Sequence, residues 1–383
     1  MEKVRPGSTL TDSPVGRVLV IATVIFVVIV ILLVGWFIFF GGAKQDPSLS
    51  VVLGDPSELK FVVTTVIGDV KVERSGRVVD IEVNDVLFGG DVIITGNASE
   101  CIIQMGEGVS IKVLENTKIS LSGVLPSLDK KKESVITLVS GIILSITKKL
   151  GQQDVRVRTE TGLALVRGTK FSVYSKPNGD MTIVVADGEV VSKIRSRFVG
   201  ELASKLKPEE REKLILLEGI SESVVKGGMQ SDISRSEQSK VDQKLKSLSA
   251  DGKLDNIDDF VSNLSRAIET VSKEVEIKTK EADKDKLDFL NRGISEDVLV
   301  DFSKMVEVVF EPTEDTLGFV VSVDDGKPSI MPVSKMLVKN KKYSITIKNR
   351  FGDTVFRDVL SFDRNMRVIV KRKGSDVGVE IGK

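Results

Sequence analysis

Histidine is absent from the 383 residues, and cysteine occurs once, as Cys101. The first absence removes the usual general base, the commonest zinc ligand and the Ser/His and Cys/His nucleophile pairs. The second excludes an internal disulfide. Cys101 sits in the apolar run Cys101-Ile102-Ile103, so it reads as a small core residue, with an intermolecular thiol as the alternative. Aromatic residues make up 5% of the chain, too few for a stacking platform for bases or sugars. Net charge is +0, from 55 basic and 55 acidic residues, which removes a whole-chain electrostatic case for nucleic-acid binding. No phosphate loop, Gly-x-Ser-x-Gly turn or Cys-x-x-Cys occurs. Asp283, Asp285 and Asp288 lack the central glycine and terminal glutamate of an EF-hand and read as a solvated charge run. Paired carboxylates are plentiful but unplaced. The expectation is a protein without catalysis, cofactor or metal.

What the chain does have is 41% hydrophobic residues, enough for a sizeable core, and a length that suggests about two domains. Val18 to Phe40 carries no charge. As a helix it spans roughly 34 Å, enough for a hydrocarbon layer of about 30 Å. Trp36 lies near one end, where an amphipathic ring prefers the interface. Lys3, Arg5 and Arg17 precede the run and Lys44 alone follows it closely, which orients residues 1–17 toward the cytoplasm. A cleaved signal peptide is the alternative, with Gly41 and Ala43 as small residues at a cleavage site, but the apolar run exceeds a signal core. The expected location is the inner membrane, single-pass, with residues after 41 periplasmic or extracellular. The lipid bilayer contacts Val18–Phe40, and envelope proteins are the expected partners.

Residues 41–60 read as a linker broken by Asp46-Pro47 and Asp55-Pro56. From Phe61, runs rich in Val, Ile and Thr recur every 8–12 residues between glycine turns, as in an all-β body. The clearest are Phe61–Val66, Val70–Glu73, Val92–Thr95, Cys101–Met105, Val135–Ile146, Phe171–Tyr174 and Met181–Ala186. A helical insertion is expected near 197–213, because Pro208-Glu209-Glu210 suits a helix start, with β character returning at Leu214–Leu217 and Ile220–Val225. Residues 230–304 are charged and poor in glycine. There Ile257, Phe260, Val261, Leu264, Ile268, Val271 and Val275 recur at helical spacing, with Asp255 or Asn256 as cap and Glu269/Lys273 and Glu274/Lys278 as i, i+4 pairs. This helix packs on its own domain or binds a partner. From 305 to 383, runs such as Tyr343–Lys348 alternate apolar and polar residues, as one buried face of a small β-sandwich requires.

The run Val166-Arg167-Gly168-Thr169-Lys170-Phe171 resembles the V-R-G-T-x-F signature of the FecR-like periplasmic domain family. Val157-Arg158-Thr159 precedes it as the family's V-x-T step does, and Asp187-Gly188-Glu189-Val190 resembles the closing turn and strand. Upstream, Gly68-Asp69-Val70 and the run from Gly90 and Asp91 through Thr95 to Gly96 resemble the opening motifs, and Asn116-Thr117 another turn. At Gly108 the usual Asp-Gly-Ser turn is replaced by Glu107 and Val109 around the glycine. The resemblance covers about 61–229 and implies a β-solenoid-like or rolled β domain outside the cytoplasm. Its residues read as structural: glycines for turns, and Arg167 as a donor to backbone carbonyls or a carboxylate. The C-terminal part resembles small PEGA-type β modules around Asp325-Gly326-Lys327, Pro332 and Lys342-Tyr343-Ser344-Ile345, without the Pro-Glu-Gly-Ala tetrapeptide.

The expected fold is therefore mainly β: a transmembrane helix, a rolled β domain, a helical middle segment and a small C-terminal sandwich. The expected function is an envelope interaction or scaffold component. The alternatives are a signalling or regulatory protein related to sigma-factor regulators, or a glycan-binding module. The regulators use a folded cytoplasmic domain, whereas the 17 residues before the span are too few for a core. One Trp and two Tyr give little support to glycan binding.

Overall fold

Short Val/Ile/Thr runs separated by glycine and Asx turns favour pleated strands over helices, and the computed structural model is mainly β. It describes residues 59–126, 132–148, 153–249, 257–295, 298–374 and 376–382. The expected membrane span Val18–Phe40 and its flanks lie outside the described residues. Among the described residues no helix is long and apolar enough to cross a membrane.

The first strands are β1 (Lys60–Ile67), β2 (Val70–Arg74), β3 (Arg77–Asp80), β4 (Val86–Phe88), β5 (Val92–Thr95), β6 (Glu100–Met105), β7 (Val109–Val113), β8 (Lys118–Pro126) and β9 (Lys132–Thr147). They continue as β10 (Gln153–Arg158), β11 (Gly162–Val166), β12 (Lys170–Ser175), β13 (Met181–Asp187), β14 (Glu189–Arg195), β15 (Gly219–Lys226), β16 (Met229–Ile233) and β17 (Thr279–Glu281). Pairing arranges them in two layers. One runs β3-β2-β5-β8-β9-β10-β11-β14-β15. The other runs β4-β1-β6-β7-β9-β12-β13-β16-β17. The chain passes repeatedly from layer to layer, so successive hairpins roll around one core and neither layer closes into a barrel.

β9 belongs to both layers. Its residues up to Ser140 pair with β8, and those from Gly141 pair with β12. Gly141 is the bend, at φ +98°, and a Cβ there would lie 2.6 Å from Thr117 Cα. Only glycine fits that corner. Phe61, Ile93, Ile103, Ile111, Leu121, Ile136 and Phe171 are among the side chains fully buried between the layers.

Helices cover the later strands. α1 (Arg197–Ser204) is capped by Ser196, whose Oγ accepts from Val199 N. α2 (Pro208–Leu216) begins with proline at its first position and Glu209 and Glu210 in its first turn, as expected. It runs through Leu214 and Ile215, which corrects the expected strand at Leu214–Leu217. Both residues are buried as one face of the continuing helix. α3 (Arg235–Leu248) carries a capping box formed by Ser234 and Glu237. α4 (Ile257–Glu274) buries Phe260, Leu264, Ala267 and Val271 in the same core as the strands, so the apolar stripe packs on its own domain. Glu269 pairs with Lys273 at 2.8 Å, whereas Glu274 pairs with Lys244 of α3. The expected caps Asp255 and Asn256 lie outside the described residues. α5 (Lys284–Gly293) covers the outer face of the second layer, where Leu290 meets Leu144, Ile146 and Val184. The segment 230–304, expected as helical, thus also supplies β16 and β17 to the sheet.

The C-terminal strands are β18 (Met305–Pro312), β19 (Val320–Val323), β20 (Ser329–Ile330), β21 (Val333–Val338), β22 (Lys342–Lys348), β23 (Thr354–Ser361), β24 (Met366–Lys373) and β25 (Asp376–Gly382). They form two four-stranded sheets, β21-β18-β24-β25 and β20-β19-β22-β23. Val308, Phe310, Phe319, Val321, Ile345, Ile347 and Phe362 fill the space between them. The alternation at Tyr343, Ile345 and Ile347 faces this core.

Candidate functional site

The residues singled out in the sequence sit at corners where the chain changes layer. Val166 ends β11, and Arg167-Gly168-Thr169 turns into β12, where Phe171 is fully buried. The return corner, Asp187-Gly188-Glu189, lies against it. Thr169 Oγ1 donates to Glu189 O at 2.8 Å, and Thr147 N donates to Thr169 O at 2.9 Å. Gly188 has φ +85°, and a Cβ there would lie 2.6 Å from Gly168 O. Thr95 repeats the device: its hydroxyl donates to Leu114 O and accepts from Thr117 N. At such corners a threonine hydroxyl replaces ladder bonds that the chain gives up in crossing.

Gly90 and Asp91 hold a third corner. Asp91 is buried and accepts from Arg74 through Nε at 2.8 Å and Nη2 at 2.5 Å, and from Phe88 N at 2.9 Å. Arg167 stands apart from this pattern. Its side chain is 60% exposed and its ion pair with Asp154 is long, at 3.9 Å. Of the expected partners, backbone carbonyls or a carboxylate, it has the carboxylate of Asp154, and that pair is exposed because β11 ends one residue earlier and the turn points the side chain to solvent.

A buried charge cluster went unnoticed in the sequence. Arg158, Arg195 and Glu218 are all fully buried. Arg158 Nη2 and Arg195 Nε each donate to Glu218 Oε2 at 2.9 Å, and Arg158 Nε lies 2.7 Å from Oε1. Arg195 Nη1 donates to Glu160 O, which also accepts from Gln238 Nε2 of α3. Burial pushes the Glu218 carboxyl up, but Arg158 and Arg195 outweigh it and hold the carboxyl below its usual range. Burial pushes the Arg158 guanidinium down, against the pull of Glu218. The cluster joins β10, β14 and the start of β15 to α3. With every member sealed from water it has no access to a substrate, and its chemistry is structural. Cys101 is buried and its thiol is pushed up to about 12 by burial, which leaves it inert as a nucleophile. Among the described residues no group of three or more Cys, Asp or Glu is placed to share a metal ion.

An accessible concavity lies elsewhere. A groove of about 520 Å³ opens where the rolled domain meets the C-terminal sandwich. Its walls are β3 and the loop to β4 on one side, and residues 328–333 around β20 on the other. Val79, Ile81, Val86 and Leu87 line it on the first side, and Ile330, Met331 and Pro332 on the second. Beneath it the two domains are clasped by Lys335, which is 3% exposed and pairs with Asp85 at 2.8 Å and Glu82 at 3.2 Å. Met336 N donates to Asn84 O at 2.7 Å, and Lys60 pairs with Glu307 at 3.1 Å. Burial pushes the Asp85 carboxyl up, with Lys335 opposing.

Comparison with known proteins places one family on this scaffold. Residues 91–191 match the model of the family described as FecR protein, from the Asp91 corner into the first residues of the closing strand β14. The match is narrower than the 61–229 suggested by the motifs. Among curated proteins none matches. Two crystal structures of a candidate anti-sigma factor from Parabacteroides distasonis ATCC 8503 are similar to this chain. Both are 13% identical, with TM-scores of 0.30 and 0.31. Each match covers 53% of this chain and 64% or 65% of that chain, less than two thirds of its length.

Proposed function

We propose, from the FecR domain that residues 91–191 form, that this protein is a regulatory component of the envelope that acts by contact with other proteins and not by catalysis. The family match is the observation that carries this reading. It favours a signalling role over the general scaffold role that composition first suggested. The accessible features agree with it: the Arg158–Arg195–Glu218 cluster is sealed from solvent, while a groove between two domains is open. In this reading Val18–Phe40 crosses the inner membrane, residues 1–17 face the cytoplasm and the β domains work outside it. A protein that relays by contact needs a rigid exported surface, which a sheet rolled around one core and clasped to a sandwich supplies.

The test joins transcript profiling of a deletion strain with crosslinking in intact cells, using the exported region as bait. A regulator changes a defined set of transcripts on deletion and captures an envelope protein whose own deletion changes the same set. Unchanged transcripts under conditions where the protein is made would defeat the regulatory reading and return the scaffold role.

A further inference from the structure

We propose that α5 is a lid: it opens while the sheet beneath it stays folded, and it uncovers an apolar strip on the outer face of the second layer. The inference adds a switch to the contact-based reading above, and its test reads the lid alone, whatever the protein regulates. The strip crosses three paired strands. On β12, Ser172 stands opposite Leu144 of β9 on one side and Val184 of β13 on the other. Leu144, Ile146 and Val184 are buried there with Leu290 and Ile294, in a cluster separate from the core between the layers. The last turn of α5 sits directly on the strip, because a Cβ at Gly293 would collide with Leu144 Cδ1. Lifting α5 therefore bares the strip and leaves the core between the layers whole.

The lid is lightly held for what it covers. Leu290 is the one buried residue of α5, and Phe289 beside it is 41% exposed. Its polar ties run through side chains of the sheet. Ahead of the helix, Gln230 Oε1 accepts from Asp283 N at 2.9 Å. Along it, Lys170 Nζ donates to Asn291 O at 3.1 Å in contact with solvent. Beyond it, the fully buried Gln104 accepts from Val300 N and donates to Val300 O, both at 2.7 Å. A helix of 10 residues is too short to stand alone in water, so α5 persists only while Leu290 is seated. The closed state also carries a cost. The hydroxyls of Ser172 and Tyr174 are shut beneath the lid with no hydrogen-bond partner except each other. Opening gives both to water and so recovers part of what the lost apolar contact costs.

The experiment places a thiol under the lid. Ser172→Cys is made in the full chain, purified in detergent and treated with a maleimide, and peptide mass spectrometry separates labelling at position 172 from labelling at Cys101. Val184→Cys repeats the measurement from the next strand. Cys101 lies in the core between the layers with its thiol pushed up to about 12, so its labelling reports unfolding of the sheet itself. Each rate is taken relative to the same thiol in denaturant. Position 172 should label at least about a hundredfold faster than Cys101, because local opening needs less free energy than global unfolding. Leu290→Ser should speed labelling at 172 at least about tenfold and leave Cys101 unchanged. Phe289→Ser, on the exposed side of the same helix, should change neither. The proposal is overturned if both engineered positions label no faster than Cys101, if L290S speeds all of them alike, or if F289S acts as strongly as L290S.

Discussion

Among single residues, Glu218 holds more of this fold than any motif residue read from the sequence. It is one carboxylate shared by two guanidinium groups, with all three side chains sealed from water. Replacing it with Gln leaves two buried cations without a counter-charge, a change that costs roughly 3–5 kcal/mol. The expected result for Glu218→Gln is a large fall in unfolding free energy by urea denaturation. Arg167→Ala, with its exposed side chain, should stay within about 0.5 kcal/mol of the parent. The Glu218 carboxyl is held below its unfolded-state value, so it contributes stability that is complete above about pH 4.3 and is lost as pH falls through the folded value. A denaturation series from pH 7 to pH 3 should show the parent weakening below about pH 4, with a smaller acid slope in E218Q. An equal slope in both would place the acid sensitivity on other carboxylates.

Among the elements, β9 is the one on which the two layers depend. It serves β8 and β10 with one half and β7 and β12 with the other, and the change occurs at Gly141. An alanine there meets the left-handed backbone and the Thr117 backbone together. Gly141→Ala should therefore cost on the order of 1–3 kcal/mol or more. The loss should appear as faster hydrogen exchange in β7, β8 and β12 together. Slowed or unchanged exchange in those strands would show that the corner tolerates a side chain. The sequence showed this stretch as one long apolar run with a glycine inside. It did not show that the glycine divides the run between two layers, because a strand's period is the same on either side of a bend.

At the scale of the whole molecule, the clasp at Lys335 decides whether the sandwich and the rolled domain move as one. Lys335→Met removes the cation between Asp85 and Glu82 and leaves two carboxylates facing each other. The expected outcome is faster exchange at residues 82–87 and in β21, with β22 still protected inside its own sandwich core. Protonation of Asp85, whose carboxyl burial already pushes up, relieves the repulsion, so the loosening should shrink as pH is lowered. Uniform destabilisation of both domains at every pH would show that the clasp is one contact among many.

The sequence by itself determined the mainly β character, the helix over Ile257–Glu274, the helix start at Pro208, the C-terminal sandwich and the corner motifs. Each of these is local: a two- or three-to-four-residue period, a proline, or a glycine beside a threonine. It also determined that these 383 residues carry no histidine and that their one cysteine can close no internal disulfide. Only the tertiary structure decided what meets what. It brought Arg158, Arg195 and Glu218 together from positions up to 60 residues apart. It turned Arg167 outward although Val166, Thr169 and Phe171 of the same motif are buried. It made the charged segment after residue 230 part of the same sheet and core. And it set β3 beside β20 of the sandwich, which no period in the sequence encodes. Strand order and burial are set by long-range pairing, where the gain from one contact depends on which other strands have already taken their places.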